Sequence, residues 1–83
     1  MSNIKWAVVC INQYDGGVAS VDLFEKYDDA KEFMRKDAEE TEAEIKENDS
    51  NYYTFIDDFG QSICLYVDHE INYSWAIEAT NTH

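Results

Sequence analysis

The middle of this chain carries one helical pattern, and the segments on either side of it read as strand. Between residues 27 and 47, Ala30, Phe33, Met34, Ala38, Thr41 and Ile45 recur at spacings of three and four, which lines them up in one narrow apolar stripe. Asp28 and Asp29 suit the positive end of such a helix, and Asp29 with Glu32 has the spacing of a capping box. A single helix with one stripe has one sheet face to cover, and that limits the fold to a small set of two-layer arrangements.

The flanking runs alternate with period two. Strand one, residues 4–14, places Trp6, Val8 and Cys10 on one face and Ala7, Val9 and Ile11 on the other; with both faces apolar it is expected in the middle of the sheet, covered on both sides. Asp15-Gly16-Gly17 then supplies the positive φ of a tight hairpin turn. Strand two, residues 18–25, sets Ala19, Val21 and Leu23 against a more polar face of Val18, Ser20, Asp22 and Phe24. After the helix, strand three at 52–57 opposes Tyr53 and Phe55 to Tyr52, Thr54 and Ile56. Asp57-Asp58-Phe59-Gly60 reads as a turn into strand four at 61–67, with Ile63, Leu65 and Val67 opposite Ser62, Cys64 and Tyr66. A third connection at 68–72 leads to strand five, where Tyr73, Trp75 and Ile77 share a face. The order is β-β-α-β-β-β: one α+β domain over residues 1–83, an antiparallel sheet of about five strands with an amphipathic acidic helix on one face.

One helix leaves the second face of such a sheet without cover. Either the sheet curls around a second layer of its own or that face meets another molecule, a homodimer through the sheet being one such arrangement. Cys10 and Cys64 lie in apolar runs without Cys-x-x-Cys spacing and are expected as reduced, buried thiols; a bridge between them would require their strands to pair.

Charge narrows the function. Eighteen Asp and Glu oppose six Lys and Arg, a net charge of −12, which argues against binding to nucleic-acid phosphates or to an anionic membrane. Hydrophobic residues at 45% argue against disorder. No basic-then-apolar leader and no run of membrane-spanning length is seen, so a cytoplasmic location is expected. The acids are concentrated: Asp37, Glu39, Glu40, Glu42, Glu44, Glu47 and Asp49 face Lys46 alone, and that stretch carries half of the net charge. They crowd the negative end of the helix dipole and repeat like charge at i, i+4, an arrangement that solubility alone does not require.

A row of Asp37, Glu40, Glu44 and Glu47 along the helix has the charge and rough spacing of a line of phosphates, and fits the cationic groove of a nucleic-acid-binding protein. Asp57 and Asp58, with Asp68 and Glu70 beyond, extend that surface, and Glu39 and Asp49 flank it. The chain has six tyrosines; Tyr52 and Tyr53 are adjacent and point to opposite faces, so at least one lies outside the helix-facing core, and Tyr52 is counted with the acids as a partner-binding residue. The bland alternative is a solvated acidic face.

Signatures of catalysis are missing. The histidines are His69 and the terminal His83, with no His-x-x-x-His pattern, nucleophile elbow, P-loop or dinucleotide fingerprint. Asp68-His69-Glu70 is too compressed for one metal, and no EF-hand order occurs. Neither enzyme activity nor a cofactor or metal is expected.

In style the chain resembles the small acidic inhibitor proteins of phages and mobile elements, the anti-CRISPR and DNA-mimic class. The residues that carry the resemblance are the strand–Asp15-Gly16-Gly17–strand opening, Phe24-Glu25-Lys26-Tyr27-Asp28-Asp29-Ala30-Lys31-Glu32 leading into an acidic helix, and the closing Tyr73-Ser74-Trp75-Ala76-Ile77. The resemblance implies occlusion of the nucleic-acid-binding surface of a defence protein, a CRISPR effector first, inside a bacterial host cell. Alternatives with similar charge are an immunity protein against a basic nuclease toxin, an acidic structural or accessory domain, and, more weakly, a cation-binding domain.

Overall fold

One hairpin, a long crossover helix and a three-stranded meander assemble the chain into one five-stranded antiparallel sheet with a single helix on one face. The computed structural model describes residues 3–13, 16–48 and 50–82. Strands β1 (Asn3–Asn12) and β2 (Gly17–Phe24) precede helix α1 (Tyr27–Asn48), and β3 (Thr54–Asp58), β4 (Ser62–Val67) and β5 (Glu70–Thr82) follow it. The strand order is β2-β1-β5-β4-β3. The first and last strands thus pair at the centre, over ten residue pairs from Asn3↔Thr82 to Asn12↔Tyr73. α1 links the two edge strands and therefore crosses the whole sheet.

Alternation decides what lies beneath the helix. Val8 and Cys10 from β1, Ile63 and Leu65 from β4, and Trp75 and Ile77 from β5 form the core with Ala30, Met34 and Ala38. Trp75 sits in the middle strand, directly opposite Cys10 on one side and Ile63 on the other. The alanines let the helix approach closely, and Met34 fills the space between them; all three helix residues have no exposed area. Aromatic pairs fasten the first turns to the β1–β2 side: Trp6 meets Tyr27 edge-on at 5.0 Å, and Phe24 meets Phe33 at 5.1 Å. The helical stripe expected from sequence is the one buried.

Several local expectations change. α1 begins at Tyr27, so Asp29 lies inside the first turn instead of capping it; Asp28 and Asp29 there still favour the dipole. β3 starts at Thr54, which leaves Tyr52 and Tyr53 before the strand. Asp58 closes β3, its carboxylate accepting the Gly60 N–H at 2.8 Å, and Gly60 takes φ 93°. The 68–72 connection is a two-residue turn: Asp68 and His69 adopt φ 52° and 71°, Val67 pairs with Glu70, and β5 runs for 13 residues. The turn expected at Asp15-Gly16-Gly17 is described only in part, since Asp15 lies outside the described residues; Gly16 has φ 67°.

β1 is flanked by β2 and β5, as an interior strand should be, but β5 is the central one, and among the described residues no second layer covers β1 on the face away from α1. β2 presents its faces unexpectedly. Pairing of Trp6 with Phe24, Val8 with Asp22 and Cys10 with Ser20 puts the more polar set under the helix. Val21 and Leu23 face outward, 55% and 59% exposed. A bulge at Cys10/Ile11 skips Ala19 and brings Val18, 62% exposed, to the same outer face.

Both cysteines are free. Cys10 lies on the helix side, whereas Cys64 pairs with Ser74 and Asp57 on the other, so no bridge joins them. Burial, reinforced by the Asp37 carboxylate and partly offset by a hydrogen bond with Ser20, pushes the Cys10 thiol up to about 11. The unfolded chain therefore ionises this thiol before the folded one does. Its stabilising contribution is complete below pH ~9 and is lost as pH rises toward ~11. Denaturant titration at pH 8 and pH 11 should give a loss larger by about 2 kcal/mol in the native chain than in Cys10→Ala; equal losses would contradict this burial.

Candidate functional site

The outer surface of α1 is built by a helix whose inward positions are fully committed to the sheet. Its 22 residues rise about 33 Å. Glu39, Glu40, Glu44 and Glu47 are exposed, and Glu42 is half-buried. Among the described residues the ion pairs lie elsewhere: Lys36 with Glu32 at 3.6 Å, and Arg35 with Asp58 at 3.8 Å. Lys46 is the only basic residue of the last turn. The back half of the helix therefore offers carboxylates that no cation among the described residues engages.

Asp37 is different. Its Oδ2 accepts the Trp75 Nε1–H at 2.9 Å, and its backbone carbonyl accepts the Thr41 hydroxyl at 2.7 Å. It is half-buried and turned toward the sheet, so the row expected from sequence is reduced to Glu40, Glu44 and Glu47, with Glu39 beside them. Asp49 lies outside the described residues.

The second acidic group does not form one surface. Asp57 pairs with Cys64 on the face away from α1, and Asp58 pairs with Ile63 on the helix side, where it meets Arg35. Asp68 and Glu70 instead join the far end of the helix. With Ile45, Asn48, Tyr52, Val67 and Asn72 they line an open recess of about 560 Å³. Tyr52 is 41% exposed there. Asp68 also accepts the Tyr53 N–H at 3.2 Å, which fixes the turn. The geometry thus continues the acidic helix into a hollow with an aromatic wall and two further carboxylates.

A separate feature went unread in the sequence. Tyr53, Phe55, Asp57, Tyr66 and His69 line an open recess of about 350 Å³ on the opposite face of the sheet. His69 stacks on Tyr53 at 5.3 Å, and Phe55 contacts Tyr66 at 6.1 Å. Phe55 and Tyr66 are direct partners in the unbroken β3–β4 ladder, a pairing that the alternation within each strand does not reveal without the register between them.

Among the described residues no three His, Cys, Asp or Glu converge to hold a metal ion, and no helix is long and apolar enough to cross a membrane. Comparison of the chain with protein-family models, with curated proteins and with solved structures gives no match.

The acids should separate by role. Asp37→Ala leaves a buried indole N–H unpaired and should cost about 1–3 kcal/mol, whereas Glu40→Ala should stay within about 0.5 kcal/mol, measured by urea unfolding. Raising salt from about 20 to 150 mM should lift the melting temperature by screening the crowded carboxylates; a flat response would show that they do not repel appreciably.

Proposed function

We propose that this chain is a non-catalytic, stoichiometric inhibitor that sets the acidic half of α1 into the cationic groove of a nucleic-acid-handling defence protein, a CRISPR effector first, and blocks access of its DNA or RNA. The observation that carries the reading is the exposed set Glu39, Glu40, Glu44 and Glu47, without ion-pair partners among the described residues and with Glu47 in the last turn, where the dipole disfavours it. Such an arrangement costs the free protein a few tenths of a kcal/mol per like-charge pair, and a cationic partner recovers that cost. Three exposed carboxylates at spacings of three and four residues stand about 4.5–6 Å apart along the axis, a line of negative charge somewhat sparser than the one phosphate per about 3.4 Å of a nucleic-acid strand. The recess at Tyr52, with Asp68 and Glu70, supplies the place for a partner's Lys or Arg side chain. Association of this kind is steered and fast at low salt and slows as salt rises.

The test uses charge reversal. Glu40→Lys, Glu44→Lys and Glu47→Lys together should leave the melting temperature unchanged or higher, because they relieve repulsion and complement the dipole. The wild-type chain should displace DNA from purified CRISPR effectors near one-to-one stoichiometry, and the triple variant should lose at least about 100-fold in that competition. Full inhibition by the folded triple variant would rule out the acidic helix as the binding face. Inhibition confined to a basic nuclease toxin would move the target class and leave the binding physics as stated.

A further inference from the structure

We propose that the face of the sheet opposite α1 docks a second copy of this chain, forming an isologous sheet-on-sheet dimer in which an aliphatic ridge of each copy seats in a trough of small residues on the other. The two halves of this complementarity lie side by side on one face. The ridge comes from β1 and β2: Val9, Ile11, Val18, Val21 and Leu23, of which Val18, Val21 and Leu23 are 55–62% exposed. The trough comes from β5 and β4: Ala76 lies opposite Ser62, and Ser74 lies opposite Cys64. These four side chains are no larger than a cysteine, and the Gln13 amide borders the trough where it donates to Ser74 Oγ at 3.1 Å.

Register brings ridge and trough into the same rows. Val9 is opposite Ala76 and Ile11 is opposite Ser74 across the β1–β5 ladder. A two-fold axis running parallel to the strands, near the boundary of β1 and β5, carries the ridge of one copy over the trough of the other at the same level. The exchange is reciprocal, as a closed two-fold contact demands. Packed sheets sit about 10 Å apart, a distance that large side chains meeting small ones can fill.

Charge favours this approach over any other. Within the strands only Lys5, Asp57 and Glu78 bring charge to the open face. The carboxylates of α1 lie beyond the far side of each sheet. Face-to-face packing holds the two helices about 30 Å apart, several screening lengths at physiological salt, so repulsion between their carboxylates is largely screened. With that two-fold axis four strands overlap, β2 and β1 of each copy on β4 and β5 of the other, about 4.8 Å apart and over about six residues, a face of about 19 by 20 Å. That is about half of the roughly 800 Å² per partner in a standard interface, so the contact is a weak one that forms at high protein concentration. Both helices remain outward, so this contact is independent of the one proposed for α1.

Light scattering and sedimentation from about 1 to 200 μM should give twice the chain mass for the wild type at the upper concentrations. Val21→Lys, on an exposed site outside the helix-side core, should be monomeric with a cooperative melt. Ala76→Leu makes the face more apolar but fills the trough, and should weaken association at least about tenfold. Tighter self-association of Ala76→Leu would replace the seated contact by unspecific stickiness. A monomer mass throughout, at low and physiological salt, would overturn the proposal. An independent readout needs no variant: iodoacetamide labelling of Cys64, in the trough, should slow as protein concentration rises, and a concentration-independent rate would count against the dimer.

Discussion

One hydrogen bond sets the relation of helix to sheet. Trp75 occupies the middle of the central strand, is 1% exposed, and carries an indole N–H that must find a partner. The acceptor is Asp37 Oδ2 at 2.9 Å, near the midpoint of α1. With that contact made, the rotation of the helix is fixed, and Ala30, Met34 and Ala38 come down on the sheet together. The residues around it follow from its size. Small helix residues permit close approach over a large indole, and Cys10 and Ile63 flank the indole across the two adjoining ladders. The same carboxylate helps hold the Cys10 thiol in its neutral form, so the polar and apolar parts of the core are one unit.

That bond also divides the acids of the helix by use. Asp37 belongs to the core, and Glu40, Glu44 and Glu47 are exposed to solvent. Sequence alone cannot make this division, because Asp37 stands among similar carboxylates and its partner lies 38 residues away. The stripe of Ala30, Phe33, Met34, Ala38 and Ile45 was legible because helical geometry repeats locally. The side-sharing of Trp6, Val8 and Cys10, and of Tyr73, Trp75 and Ile77, was legible for the same reason with period two.

What escaped the sequence is what departs from those periods. The turn at Asp68-His69 uses positive φ at two non-glycine residues, and its tightness recruits 70–72 into β5. Each bulge, at Cys10/Ile11 and at Leu65/Tyr66, shifts alternation by one residue, which moves Val18 and Ile71 to the outer face, where they are 62% and 43% exposed. Asp57 and Asp58 are neighbours in sequence and lie on opposite faces of the sheet, so a cluster in the chain became two separate sites. Asp68 and Glu70 fell instead beside Tyr52 at the end of the helix, a grouping set by the order β5-β4-β3 and by the path of α1.

The orientation of β2 ties these points together. A shift of one residue would bury Val21 and Leu23 beneath α1 and send Ser20 and Asp22 outward, the usual choice for a sheet with one solvated face. Two contacts hold the strand the other way: Phe24 lies opposite Trp6 across the ladder and packs on Phe33 of the helix. Removing Phe24 from the helix side would empty the space over the first turns of α1, where Tyr27 and Phe33 anchor the edge of the layer. The aromatic clamp therefore fixes an apolar ridge in the open, and no second layer among the described residues covers it. Charge is gathered on the helix side and apolar surface on the other, and a molecule divided in this way has two faces suited to two different kinds of contact.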